Sequence, residues 1–82
     1  MTMDVYRIGD DGPEFKRREE DEEVTFPLEI SGKRIYFTAR SGVEGDGFRI
    51  TSPKNATQLI GKDSFKDGDV LLGVDGYQYF AT

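Results

Sequence analysis

The chain contains neither cysteine nor histidine. Without cysteine it can form neither a disulfide framework nor a thiolate nucleophile, and without histidine it lacks the commonest metal ligand and general base. Carboxylates and Ser-Lys pairs remain, but no spacing in the sequence pairs them specifically. We therefore expect a protein that is not an enzyme, with no catalytic residue, no cofactor and no metal site. Residues 63–69 are rich in aspartate, but Phe65 and Val74 occupy positions where a calcium loop needs oxygen ligands.

Long apolar runs are also missing, since the longest are three residues, such as residues 70–72. The first residues do not follow a basic-then-apolar signal pattern. We therefore expect no membrane partner and a cytoplasmic or virion location, not secretion through a signal peptide. Basic residues are fewer than acidic ones, 11 against 16, which gives a net charge of −5. This charge repels phosphate backbones, so we expect no direct nucleic-acid partner, and it favours a basic protein partner.

The length of 82 residues predicts one domain, residues 1–82, with a single modest core. Hydrophobic residues make up 35% and charged residues 33% of the chain, which is near the lower edge for a globular protein. Ten phenylalanines and tyrosines favour folding. Composition therefore predicts a small folded domain.

The strongest local pattern is a β-hairpin at residues 24–40, folded about a two-residue turn at Ser31 and Gly32. In this register the numbers of facing residues sum to 63, and both faces are chemically matched. A shift of one residue would place apolar side chains opposite the polar face. The predicted pairs are Leu28 with Ile35, Phe26 with Phe37, Val24 with Ala39, Glu29 with Arg34, Glu23 with Arg40 and Thr25 with Thr38.

A second hairpin is predicted at residues 69–82, about a type I′ turn at Asp75 and Gly76. In its simplest register Leu72 faces Tyr79, and Leu71 faces Phe80 on the other side. Both faces are then apolar. The hairpin is therefore either a central, twice-covered strand pair, or one of its faces is kept for a partner.

The remaining segments are less regular. Residues 9–23 are expected to be a charged segment, either a flexible solvated connection or the polar start of the next strand, because the charges oppose a helix dipole. Residues 41–47 are expected to be a glycine-rich loop. Residues 53–60 are expected to be a short helix, with Ser52 as its N-cap and Gly61 where the helix would end, or a strand. We predict a mostly β fold: an antiparallel sandwich or small barrel of five to seven strands built on the two hairpins, with at most one short helix near 53–60.

Two segments resemble known families. Residues 66–76 (KDGDVLLGVDG) resemble a stretch of PDZ domains, but the helix and strand that complete the PDZ groove do not follow, so no peptide site is transferred. Residues 6–10 (YRIGD) and 32–40 (GKRIYFTAR) are similar to motifs of small β-modules in phage tail and baseplate proteins. This second resemblance covers residues 4–40 and implies assembly or attachment.

We therefore expect a non-enzymatic protein-interaction or assembly module, such as a phage tail or head component, that binds itself or another virion or host protein and could form a homo-oligomer. The expected contact residues are Leu71, Tyr77, Tyr79 and Phe80, because aromatic side chains are enriched at binding hot spots. The alternative is an acidic inhibitor that imitates nucleic-acid charge and blocks a basic groove on a host protein. Its expected surface is the acidic run Glu19, Glu20, Asp21, Glu22 and Glu23.

Overall fold

The structure is a computed structural model that describes residues 2–41 and 47–82. Within these residues the chain forms eight β-strands and one α-helix. The strands are β1 (Met3–Gly9), β2 (Gly12–Glu19), β3 (Glu23–Ile30), β4 (Lys33–Ser41), β5 (Phe48–Ser52), β6 (Ser64–Phe65), β7 (Val70–Leu72) and β8 (Tyr77–Ala81). The helix α1 (Ala56–Ile60) follows β5, and a 3-10 turn (Val74–Gly76) joins β7 to β8.

The strands form two four-stranded antiparallel sheets. Sheet I has the order β2-β1-β8-β7, and sheet II has the order β3-β4-β5-β6. One apolar core receives side chains from both sheets. The predicted mostly β, antiparallel fold is confirmed in its sandwich form, with more strands than the five to seven expected.

The hairpin of β3 and β4 has the predicted register. Every facing pair sums to 63, from Glu23 with Arg40 to Ile30 with Lys33. Ser31 and Gly32 both have positive φ, 50° and 79°, as a type I′ turn requires. The polar face carries the predicted contacts between Thr25 and Thr38 and between Glu23 and Arg40.

Residues 12–19 form strand β2, within the segment 9–23 expected to be either a flexible connection or the polar start of the next strand. This strand pairs with β1 along its whole length, around a turn at Asp10 and Asp11. It is an edge strand with mostly exposed side chains, so it needs no apolar stripe of its own. Pairing with β1 therefore decides its structure. The predicted glycine-rich loop at 41–47 lies outside the described residues except at its two ends.

The short helix begins later than the sequence predicts. Its first residue is Ala56, after Pro53, and Asn55 takes the N-cap position without a side-chain hydrogen bond. Ser52 is the last residue of β5, so the predicted serine cap is wrong. Gly61 ends the helix, as predicted, and it has the left-handed conformation. Among residues 2–41 and 47–82 there is no helix long and apolar enough to cross a membrane.

The register of the second hairpin differs by one residue from the prediction. Leu71 faces Tyr79, Leu72 faces Gln78, and Val70 faces Phe80. The predicted turn is present, because Asp75 and Gly76 have φ of 57° and 83°. The difference arises at a bulge next to the turn.

This bulge places Gly73 and Val74 opposite the single residue Tyr77. The Tyr77 N–H donates to the Val74 carbonyl, while the Gly73 N–H donates to the Tyr77 carbonyl at 2.7 Å. A bulge of this kind adds one residue to one strand and shifts every later pair. Gly73 passes close to a ring of the core, because a Cβ atom there would lie 2.5 Å from Cε2 of Tyr79.

The core is rich in phenylalanine. Phe26 of sheet II lies against Tyr79 of sheet I, with ring centroids 4.7 Å apart, so this contact ties the two layers together. Phe48 stacks on Phe65 at 5.0 Å. Gly47 approaches the backbone of Phe65 so closely that a Cβ atom would overlap the Phe65 carbonyl oxygen.

Candidate functional site

The outer face of sheet I is the most unusual surface of the molecule. In β1, Met3 and Val5 are fully buried in the core, so the alternate residues point away from it. Facing residues on paired strands point to the same side of the sheet, so the register assigns the residues of the other three strands to the two faces. The outer face is formed by Asp4, Tyr6 and Ile8 of β1, Pro13, Phe15 and Arg18 of β2, Gln78 and Phe80 of β8, and Val70 and Leu72 of β7.

Most of this face is apolar. Four of the five large apolar side chains that are exposed in the described residues lie on it, among them Phe15, 55% exposed, and Leu72, 69% exposed. Single exposed apolar residues are ordinary, but a contiguous apolar patch marks an interaction surface. We therefore take this face as the candidate site.

The outer face of sheet II provides a contrast within the same molecule. It carries the hydrogen bond between Thr25 and Thr38 and the ion pair between Glu23 and Arg40. The fifth exposed apolar side chain, Tyr36, lies there. This polar face is what a water-facing sheet requires, so the apolar outer face of sheet I is not a general property of the fold.

Three aromatic rings form the centre of the candidate site. Tyr6 makes edge-to-face contacts with Phe15 on one side and Phe80 on the other, with centroid separations of 5.5 and 5.3 Å. Such contacts hold the rings in defined positions. A groove of about 330 Å³ runs beside Tyr6 and Phe80, and Pro13 and Gln78 also line it. It is large enough for an apolar side chain of a ligand.

An ion pair closes one end of the face. Arg18 donates two hydrogen bonds to the Asp4 carboxylate, at 2.7 and 2.9 Å. Asp4 is buried beside Phe80 and would be costly to leave unpaired. The hydrogen bonds from Arg18 hold the pKa of Asp4 below its ordinary value, against the opposing effect of burial. The pair therefore neutralises both charges at this end.

The loop between β6 and β7 forms the other wall of the groove, through Asp67 and Gly68. The Asp69 carboxylate holds this loop, because it accepts hydrogen bonds from the Lys66 N–H at 3.0 Å and from Lys62 Nζ at 2.9 Å. These contacts lower the pKa of Asp69, the backbone hydrogen bond first. Asp67 is thereby positioned at the groove with an exposed side chain.

The four contact residues predicted from the sequence lie in different environments. Leu71 and Tyr79 are buried in the core, and burial raises the pKa of the Tyr79 hydroxyl. Tyr77 lies on the core side of sheet I, where the Arg7 guanidinium lies 5.5 Å from its ring centroid. Phe80 alone of the four is on the outer face. Alternation along β8 places Tyr77 and Tyr79 on one side of the sheet and Phe80 on the other. The off-by-one register pairs Leu71 with Tyr79, so it moves Leu71 inward and Leu72 outward.

The five residues of the acidic run do not form one continuous charged surface. Glu19, at the end of β2, pairs with Arg17, and Glu23, at the start of β3, pairs with Arg40. The three residues between them are exposed in the connection from β2 to β3. The structure therefore leaves a short acidic turn between two ion pairs.

In the described part of the chain, no group of three or more carboxylates is arranged to hold a metal ion. Two of the three aspartates in residues 63–69 contact cations of the protein: Asp63 Oδ2 lies 3.9 Å from Arg49 Nε, and Asp69 Oδ2 lies 2.9 Å from Lys62 Nζ. They stabilise the loop that leads into β7.

Sequence reasoning missed most of the candidate site, namely Tyr6, Ile8, Phe15, Val70, Leu72 and Gln78. One signal of a second apolar face was available in the sequence. Strand β1 has apolar residues at odd positions, Met3 and Val5, and also at even positions, Tyr6 and Ile8. A strand at the surface of a small domain needs only one apolar face. The segments that complete the patch are far apart in the sequence, so only the sheet order brings them together.

Comparisons with known proteins find no matching family model, no matching curated protein and no matching solved structure.

Proposed function

We propose that this domain is a non-enzymatic protein-binding module and that its contact surface is the outer face of sheet I. The observation that carries the proposal is the concentration of exposed apolar side chains on one face of a two-sheet sandwich, around the three-ring cluster of Tyr6, Phe15 and Phe80. Aromatic residues in fixed positions are the usual anchors of protein interfaces.

Two edge strands, β2 and β3, are poorly suited to pairing with a strand of a partner, which favours binding through the outer face of sheet I instead. The edge strand β2 carries a bulge opposite Val5 and Tyr6 and a proline near its start, and the edge strand β3 carries Pro27 at its middle. Bulges and prolines interrupt the row of hydrogen-bonding groups that an added strand would need. A partner therefore gains more from the apolar face than from these edges.

The resemblance of residues 4–40 to phage tail and baseplate modules suggests the biological setting. We propose virion assembly or attachment, in the cytoplasm or the virion, as the process in which the face is used. The acidic-inhibitor alternative has less support, because Glu19 and Glu23 are held in ion pairs and the basic residues of β2 lie beside the acidic turn.

Capture of binding proteins with matched variants tests the proposal. The immobilised protein is compared with the double variant Phe15→Ser and Leu72→Ser and with the control Tyr36→Ser, which removes an equally exposed aromatic side chain from the opposite face. We expect partners that bind the wild type and the control, are lost with the double variant, and persist at about 0.5 M salt, where the Debye length is only about 4 Å. Partners retained by the double variant and released by salt would refute the proposed surface.

A further inference from the structure

The groove on the outer face of sheet I has chemical features that restrict what can occupy it. We propose that it binds a short segment of another protein in which a large apolar side chain stands next to a lysine or arginine. The apolar side chain occupies the groove beside Tyr6 and Phe80, and the cation lies beside Asp67. This inference rests on the proposed function and adds the chemistry of the partner.

The charge of the groove is the first argument. Two charged side chains of the described residues line it, Asp4 and Asp67. Asp4 is neutralised by Arg18. The carboxylate of Asp67 takes part in none of the ion pairs among the described residues. One negative charge at the wall of an apolar groove complements a cation next to an apolar side chain.

The size of the face is the second argument. Four strands spaced about 4.8 Å apart, with three to six residues each in the patch, give a face of about 19 by 14 Å, or about 270 Å² in projection. A stable interface between two folded proteins buries about 800 Å² on each partner. The face alone is therefore too small to join two globular domains stably, but it matches a short segment.

Net charge also disfavours a second copy as the occupant. Each chain carries a net charge of −5, so two copies repel one another. A basic segment is attracted by the same field. Size and charge therefore both favour a cationic segment of a different protein.

A yeast-displayed library of random peptides of about twelve residues is the probe that tests this inference. Peptides enriched on the 82-residue chain should contain a large apolar residue adjacent to lysine or arginine. The best peptide is then synthesised, and its affinity is measured by fluorescence anisotropy. We expect Phe80→Ala, which removes a ring that lines the groove, to weaken binding about tenfold or more. Leu72→Ser changes the same face next to Gln78 and should weaken binding less, while Tyr36→Ser should leave it unchanged. Circular dichroism checks that each variant is folded.

Asp67→Asn should weaken binding about two- to fivefold at 0.1 M salt, as for an exposed ion pair, and the effect should vanish near 1 M salt. The matched control is Glu29→Gln, which makes the same change of charge on the outer face of sheet II and should have no effect. A peptide with its cation replaced by glutamine should bind the wild type and Asp67→Asn equally well. This double-mutant cycle isolates the contact between the cation and Asp67.

The possible failures are distinguishable. If the enriched peptides depend on Phe80 but lack a cation, or do not respond to Asp67→Asn, the inference is overturned while the proposed function stands. If their binding depends on Leu72 but not on Phe80, the inference alone is overturned, and if it depends on neither residue, both are overturned. A library without binders overturns the inference. A wild-type dimer in light scattering that Leu72→Ser dissociates also overturns it, because the occupant is then a second copy.

Discussion

Leu71 and Leu72 are neighbours on the three-residue strand β7, yet the structure places them in opposite environments. Leu71 is 8% exposed and faces Tyr79 in the core, while Leu72 is 69% exposed and faces Gln78 on the outer surface. Replacing each by alanine therefore tests the register of the hairpin. In the register expected from the turn alone, Leu72 would face Tyr79 instead.

The magnitudes follow from burial. Leu71→Ala removes three buried carbons at about 0.8 kcal/mol each, and the cavity term raises the loss of unfolding free energy to about 3 kcal/mol. Only about a third of Leu72 is hidden from water, so Leu72→Ala should cost less than about 1 kcal/mol. A domain of this length has a total stability of about 4–12 kcal/mol, so the first loss is a large part of it.

Urea denaturation measures both values. The chain has no tryptophan, so unfolding is followed by far-ultraviolet circular dichroism and tyrosine fluorescence. An unchanged m-value in both variants shows that the unfolded state is not altered. If Leu72→Ala costs as much as Leu71→Ala, or more, the bulged register is refuted, and with it the assignment of Leu72 to the outer face.

Three further results are expected. The pKa of Asp4 is lowered by Arg18, so the stability due to this pair is complete above the unfolded-state pKa of about 3.9 and is lost as pH falls through the lower folded-state pKa. The difference in unfolding free energy between wild type and Asp4→Asn should therefore shrink below about pH 4. A difference that stays constant with pH would contradict this. Gly47→Ala should lower the unfolding free energy by about 2 kcal/mol or more in urea denaturation, because the new Cβ overlaps the Phe65 carbonyl oxygen and φ of residue 47 is 63°. A neutral effect would show that the backbones of residues 47 and 65 are farther apart. Gln78→Met should be neutral or stabilising by up to about 1 kcal/mol in thermal melts, because the buried Oε1 of Gln78 has no hydrogen-bond partner among the described residues, and a clear loss of stability would reveal a partner for it.

The hairpin of β3 and β4 was determined by the sequence alone. Its information is local, because Ser31 and Gly32 accept positive φ and the side chains on both faces match across the strands. A shift of register would expose Phe26 and Leu28 to water. The mostly β class and the end of the helix at Gly61 could be predicted for the same reason.

Tertiary contacts decided the rest. The turn at Asp75 and Gly76 was predicted, but the bulge at Gly73 was not, because no local pattern shows that the Gly73 backbone lies against the Tyr79 ring in the core. Strand β2 has no apolar pattern of its own and exists through pairing with β1. Strand-local patterns contain no information about such neighbours.

The candidate site depends most strongly on the tertiary structure. The sequence specified that Phe80 and the other aromatic residues were present, but it did not specify which face of each strand would be covered. The sheet order places β1 between β2 and β8, so Tyr6 meets Phe15 and Phe80. Alternation of side chains fixes two faces for every strand, but only the packing of sheet II against sheet I decides which face meets the core and which is left for a partner.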